Sequence, residues 1–123
     1  MKNALNWFEI PARDMDRAQR FYETLLGITL KREAMGPQAT LAVFPYEEPG
    51  AGGCLMQAPG LEPATSGTLA YLGAAPTLDA VLARLEGVGG KLLTPKVTLP
   101  DGMGVFAHIQ DSEGNRVGLH AAS

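Results

Sequence analysis

The feature that most constrains the fold of this chain is a repeated pattern. When the sequence is shifted by 63 residues, the segment 15–30 lies over the segment 78–93 without a gap. In that register Asp16 aligns with Asp79. A glycine and a leucine of the first segment also align with a glycine and a leucine of the second. Few residues are identical, so the repeat is mainly a shared order of apolar and polar positions. A chain built on one pattern used twice is expected to fold as two similar units.

Both repeated segments have the pattern of an amphipathic helix. Apolar residues recur every three or four positions, as on the buried stripe of a surface helix. Asp14 is a candidate N-terminal cap for the first helix, and Gly27 is a candidate left-handed stop. Thr77 is the corresponding cap of the second helix, which a glycine-rich stretch ends. We therefore predict helices over 14–26 and 77–87.

Short strands are predicted before and after each helix, separated by turns rich in Pro and Gly. Each half of the chain then has the order βαβββ, with the segment 57–67 as the joint between the halves. The predicted strands are 6–10, 28–33, 39–44 and 52–57 in the first half, and 68–72, 91–94, 104–110 and 116–121 in the second.

The predicted fold is therefore α+β, with two tandem βαβββ units in a single domain, 1–123. The first unit is expected to span 3–58 and the second 67–121. One such unit has a sheet with one face under its helix and the other face bare. Two units can curl their bare faces toward each other as mixed sheets around a cleft, which buries that surface.

Composition limits the partners of the chain. Its 123 residues carry 10 basic and 13 acidic side chains, and no basic run with interleaved aromatic residues is present. This balance favours neither nucleic acid nor an anionic membrane as a partner. Cys54 is the single cysteine, so no disulfide within the chain and no cysteine metal cluster is expected. No signal peptide or membrane span is predicted, and the expected compartment is the cytoplasm.

Two phrases, together with the duplicated unit, carry a resemblance to a known family. The first is "FEIPARDMDRAQRFYETLLG" (8–27), and the second is "DSEGNRVGL" (111–119). The sequence resembles the vicinal oxygen chelate superfamily, which contains glyoxalase I, bleomycin-resistance, fosfomycin-resistance and extradiol dioxygenase-type proteins. The resemblance spans nearly the whole chain and implies the curled βαβββ fold. It does not by itself imply a particular activity.

The resemblance also implies where a metal would be bound. In metal-dependent members, four ligands, usually His and Glu, come from the first and last strand of each unit. Matched by their neighbours, these positions fall in this sequence on Trp7, Cys54, either Ala70 or Leu69, and Gly118. Three of the four offer no side-chain donor, and one cysteine cannot hold zinc alone. We expect neither a metal at these positions nor another cofactor.

Strand alternation extends this set to a candidate binding site. Residues two apart on a strand share a face, so Glu9 is expected beside Trp7, Met56 beside Cys54, and His120 beside Gly118. A carboxylate and an imidazole would then stand among mostly apolar walls. His108 is interpreted as a structural strand histidine. The predicted ligand-binding residues are Trp7, Glu9, Cys54, Met56, Gly118 and His120.

Three functions remain open on the sequence alone. The first is a metal-independent binding protein that takes up a small, partly apolar or aromatic molecule, as bleomycin-resistance-type relatives do. The second is a glyoxalase-like lyase or an isomerase that uses Glu9 and His120 as acid and base, with or without a metal recruited elsewhere. The third is a regulatory or interaction module. A homodimer is expected in each case, because proteins that resemble this one usually pair.

Overall fold

The computed structural model describes residues 3–123. It contains two four-stranded sheets and their helices, in the chain order that the repeat predicts. The elements of the first half are β1 (Trp7–Pro11), α1 (Met15–Leu26), β2 (Lys31–Met35), β3 (Ala39–Val43) and β4 (Gly52–Gln57). Those of the second half are β5 (Tyr71–Gly73), α2 (Leu78–Leu82), a 3-10 helix (Glu86–Val88), β6 (Lys91–Thr98), β7 (Val105–Gln110) and β8 (Arg116–Ala121).

The two sheets have the same topology. Their strand orders are β1-β4-β3-β2 and β5-β8-β7-β6. In each sheet the first and last strands of the unit are parallel neighbours, and the remaining pairs are antiparallel. The predicted α+β fold of two βαβββ units with mixed sheets is thereby confirmed.

Helix α1 begins and ends where its caps predict. The Asp14 side chain accepts a hydrogen bond from the backbone N–H of Arg17 at 3.1 Å. Gly27 adopts a left-handed conformation with φ of 66°, which a residue with a Cβ tolerates poorly. The buried residues of the helix follow the predicted stripe: Met15, Ala18, Phe21, Tyr22 and Leu25.

Helix α2 is shorter than the predicted range 77–87. It ends at Leu82, and a separate turn of 3-10 helix follows at Glu86–Val88. The Thr77 hydroxyl caps its start by accepting from the N–H of Ala80 at 3.1 Å. After Leu82 the backbone N–H groups of Arg84 and Leu85 bond to carbonyls three residues back, so tighter 3-10 turns replace the α-helix.

Two strands of the second sheet also differ from the prediction. The strand expected over 68–72 is found at Tyr71–Gly73. The strand expected over 91–94 extends to Thr98, even though it contains Pro95. This strand lies at the edge of its sheet and carries two register shifts, which is where proline is tolerated.

Two apolar clusters stabilise the fold. The larger one unites the helices with the helix-covered faces of both sheets, so the two units share one core. The smaller one lies on the opposite face of the first sheet and consists of Leu41, Cys54 and Met56, with Leu61 of the joint packed against it. We call the face of each sheet opposite its helix the helix-free face.

The turn between β7 and β8 joins the second unit to the first. Arg17 of α1 donates to the Glu113 carboxylate at 2.7 and 3.0 Å. The Tyr22 hydroxyl donates to Asp111, and Asn115 Nδ2 donates to a backbone carbonyl at the end of β1 at 2.7 Å. The side chains of Asp111, Glu113 and Asn115 are buried, and their buried polar atoms all have hydrogen-bond partners. The "DSEGN" phrase therefore holds the two units together.

Candidate functional site

The helix-free face of the first sheet carries an aromatic residue at its start. Strand register places Trp7 beside Gly52 and Glu9 beside Cys54. A Cβ added at Gly52 would lie 2.9 Å from the Trp7 ring and 2.8 Å from the Tyr46 ring, so both rings lie across this glycine. Trp7 is 39% exposed, which leaves much of its ring free to contact a ligand.

Cys54 lies on the same face but is completely buried. Burial raises the pKa of its thiol to about 11, with a further contribution from the negative charge of Glu9, and a hydrogen bond with Trp7 offsets part of the rise. The thiol is therefore protonated at neutral pH. A protonated, buried thiol is neither a good nucleophile nor a good metal ligand. Met56 is buried beside it, so these two predicted residues form the buried apolar part of this face.

The helix-free face of the second sheet repeats this arrangement with a tyrosine. Tyr71 of β5 pairs with Gly118 of β8, and its ring occupies the space that a Cβ of Gly118 would need. The positions that the sequence assigns to the inherited ligand, Ala70 or Leu69, lie just before β5 begins, and Tyr71 was not among the predicted site residues. Both sheets thus have a half-exposed aromatic ring from the first strand lying over a glycine of the last strand.

A hydrogen-bonded cluster surrounds Tyr71. Its hydroxyl lies 2.6 Å from Nε2 of His108. Nε of Arg116 donates to Nδ1 of His108 at 3.3 Å, and Nη2 of Arg116 donates to the Thr94 hydroxyl at 2.9 Å. Burial lowers the pKa of His108, and the positive charge of Arg116 lowers it further. His108 is therefore neutral at physiological pH.

Sequence reasoning missed this cluster. The four residues come from four different strands, β5, β6, β7 and β8, so their spacing along the chain gives no signal. His108 was interpreted as structural, and only its alternation with Phe106 on β7 could have placed it on the helix-free face. Its contacts become visible only when the register of all four strands is known.

Two cavities meet at Trp7. One of about 380 Å³ lies between β1 and the start of β8, and it is lined by Trp7, Glu9 and Arg116 among others. The other, of about 520 Å³, is lined by Trp7, Tyr46 and Glu48. Their walls combine aromatic rings with a few charged groups, which is the usual character of a small-molecule site.

His120 lies apart from Glu9. Its Nε2 is 2.7 Å from the backbone carbonyl of Met103. It lines a largely apolar cavity of about 300 Å³ together with Tyr71, Leu99 and Phe106. None of the five cavities described is lined by both Glu9 and His120. Within residues 3–123, the structure therefore brings Trp7 and Glu9 to one cavity but does not bring the expected acid and base together.

The residues at the inherited metal positions do not fit a divalent ion. Trp7, Gly118 and either Ala70 or Leu69 offer no side-chain donor, and the Cys54 thiol is protonated. Among the residues that the structure describes, no three His, Cys, Asp or Glu side chains are grouped so that they could hold a metal. In the same residues no helix is long and apolar enough to cross a membrane.

Fold and site together define a class: paired βαβββ units whose helix-free sheet faces carry the binding residues. The family model of the Glyoxalase/Bleomycin resistance protein/Dioxygenase superfamily matches residues 4–119, and the chain belongs to this superfamily. No curated protein sequence matches the chain.

Solved structures share the fold at low sequence identity. TnmS3, an antibiotic binding protein from Streptomyces sp. CB03234, is 24% identical with a TM-score of 0.69, and the match covers 100% of this chain and 99% of that one. The fosfomycin resistance protein FosX from Listeria monocytogenes is 15% identical with a TM-score of 0.66, over 100% and 96% of the two chains. Glyoxalase I from Zea mays is 22% identical with a TM-score of 0.66, but the match covers 94% of this chain and only 45% of the maize enzyme.

Proposed function

We propose that this protein binds a small molecule with a flat, partly apolar part, without a metal, on the helix-free faces of its sheets. The observation that supports this proposal most directly is the repeated pairing of a half-exposed aromatic ring with a glycine, Trp7 over Gly52 and Tyr71 over Gly118. Aromatic rings offer a large contact area with few rotatable bonds, so they suit stacking against a flat ligand.

The donor chemistry supports a binding protein over a metal enzyme. The positions that would hold a metal carry a tryptophan, an alanine or leucine, a glycine and a protonated thiol. The expected acid and base, Glu9 and His120, line separate cavities. Two relatives of matching length are an antibiotic binding protein and a fosfomycin resistance protein by name. A small-molecule binder fits these observations best.

Titration of the purified protein with fluorene-2-carboxylate tests the proposal. Calorimetry gives the affinity, because the fluorene ring absorbs and emits in the same near-ultraviolet range as Trp7, the only tryptophan. Loss of one stacked ring removes about 0.5–1.5 kcal/mol beyond its buried area. Because Trp7 and Tyr71 line different cavities, we expect Trp7→Leu to weaken binding at the first sheet and Tyr71→Leu to weaken binding at the second, each about tenfold.

Met35→Ala is the matched control. Met35 is an exposed apolar residue that lines none of the five cavities, so its loss is expected to leave the affinity unchanged. The sample is also expected to be free of stoichiometric nickel, zinc, iron and manganese by elemental analysis. Equal affinities in all three variants, or binding that requires one of these metals, would contradict the proposal.

A further inference from the structure

We propose that Tyr71 is a ligand-binding residue whose hydroxyl is oriented to donate a hydrogen bond to a carbonyl oxygen of the ligand. This inference rests on the proposed function and names the chemical class of the ligand: a flat, apolar molecule with a carbonyl group. It is carried by the direction of the hydrogen bonds in the cluster around His108.

Arg116 fixes the tautomer of His108. A guanidinium group has five N–H donors and no acceptor, so Nδ1 of His108, at 3.3 Å from Nε of Arg116, must accept. The Thr94 hydroxyl, which accepts from Arg116, lies 3.4 Å from the same nitrogen and has its own proton free to donate there. A neutral imidazole has one N–H, which in this arrangement is on Nε2.

The tautomer in turn fixes the role of Tyr71. Nε2 of His108 donates to the phenol oxygen across 2.6 Å, so that oxygen is the acceptor in this contact. The hydroxyl proton of Tyr71 is then directed away from His108. Tyr71 is 49% exposed, so this proton is available to a group from outside the chain.

The ring that carries this hydroxyl is held in place by its neighbours. Phe106 contacts it edge to face, with ring centroids 5.8 Å apart and planes at 86°. Gly118 lies beneath it and leaves the room that the ring occupies. A donor on a positioned ring loses little entropy when it binds a ligand, which favours recognition.

The surroundings indicate which acceptor the hydroxyl meets. Tyr71 lines the largely apolar cavity of about 300 Å³ whose other walls are Leu99, Phe106 and His120. An apolar wall beside one oriented donor is complementary to an apolar ring system that carries a single strong acceptor. A ring carbonyl has this character, whereas an ammonium group has no acceptor lone pair and would leave the Tyr71 proton without a partner.

A matched pair of probes tests the inference. The compounds 9-fluorenone-2-carboxylate and fluorene-2-carboxylate share ring size, shape and charge, and only the first has a ring carbonyl. By calorimetry we expect the fluorenone to bind about three- to tenfold more tightly than the fluorene, the range of one net hydrogen bond. Tyr71→Phe keeps the ring and removes the hydroxyl, so it should reduce this ratio to about one while changing the fluorene affinity little.

Thr98→Val is the control, because it removes an exposed hydroxyl from the same sheet at a residue that lines none of the five cavities. It is expected to keep the ratio of the unmodified protein. Equal affinities for the two probes, or a ratio that Tyr71→Phe leaves unchanged, would overturn the inference and leave the proposed function standing. Failure of both probes to bind at millimolar concentration would overturn both.

Discussion

Glu113 illustrates how one carboxylate can anchor a turn to a helix. Burial alone would raise its pKa, but hydrogen bonds from Arg17, from the backbone N–H groups of Asp14 and Arg13 and from Ser112 lower it to about 2. The ordinary value is 4.5. Because the folded protein holds the ionised form more strongly than the unfolded chain does, ionisation of Glu113 stabilises the fold above about pH 4.5. This stabilisation is lost as the pH falls toward 2.

The size of this effect follows from the difference between the pKa of Glu113 in the folded protein and its ordinary value. A tenfold change in an acid dissociation constant corresponds to about 1.4 kcal/mol, so the ionised carboxylate contributes on the order of 3 kcal/mol at neutral pH. We expect Glu113→Gln to lower the free energy of unfolding at pH 7 by about 2–4 kcal/mol and to flatten its dependence on pH between 4.5 and 2. Urea unfolding across this range measures both.

Glu62→Gln serves as the control for Glu113. The ion pair of Glu62 with Arg13 is 3.5 Å long, and both side chains are mostly exposed. Exposed pairs contribute about 0–1 kcal/mol, so the control should change stability little. A Glu113→Gln variant with the pH dependence of the unmodified protein would show that the turn is not held by this charge.

Single residues also show which placements could be predicted from the sequence and which could not. That Trp7 and Glu9 share one face of β1 could be predicted, because side chains two residues apart on a regular strand point to the same side. Tyr71 was missed because the second unit has one extra residue between its first strand and its helix cap, which left the face of this strand open between Ala70 and Leu69. Only the Leu69 alternative puts Tyr71 on the helix-free face. His108 could not be assigned a role, since its partners lie on three other strands.

At the scale of elements, the two helices show when a capping residue and a C-terminal glycine suffice to predict where a helix begins and ends. Helix α1 has both, with an uninterrupted apolar stripe between them, and its bounds agree with the prediction to within one residue. Helix α2 has the cap, but after Leu82 the backbone continues in tighter turns before the apolar pattern ends. The apolar stripe alone therefore overestimated its length, because apolar residues spaced by three or four fit both kinds of turn.

The glycines after α2 lead to a prediction. Gly87 lies within the 3-10 turn without a positive φ, and a Cβ there would meet no atom within 4 Å. We expect Gly87→Ala to raise the free energy of unfolding by about 0.4–1 kcal/mol, chiefly because it restricts the unfolded chain. Thermal or urea unfolding measures this change.

Gly89 is the matched control for Gly87. It also has free space around it, but its φ is 91°, a conformation that alanine adopts only with strain. Gly89→Ala is therefore expected to destabilise the fold. If both substitutions changed stability in the same direction, backbone conformation would not be what distinguishes these two positions.

At the scale of the whole molecule, the duplicated pattern predicted the fold because it fixed the order of elements twice. The way in which the two units are joined could not be predicted. It depends on Glu113 and Asn115 of the second unit reaching α1 and β1 of the first, contacts about 100 residues apart in the chain. The "DSEGN" phrase gave only the turn chemistry, and its long-range partners appear in the folded chain.

The exposed apolar surface leads to the last prediction, that the protein is a homodimer. The outermost strands β2 and β6 each leave a large apolar side chain in solvent, Met35 at 53% and Leu92 at 49% exposure, and Met103 is exposed to a similar extent. Edge strands with exposed apolar residues are surfaces that a second chain can cover. Light scattering at micromolar concentration is expected to give twice the monomer mass of 13.0 kDa.

Introducing charge at these edges tests which surface is covered. We expect the double variant Met35→Lys/Leu92→Lys to shift the particle to the monomer mass, since burying two unpaired lysines would cost several kcal/mol. Gln38→Lys adds the same charge at an exposed polar position and should leave the dimer intact. A particle of 13.0 kDa for the unmodified protein would rule out the dimer. If that monomer still bound fluorene-2-carboxylate, the binding site would be complete within one chain.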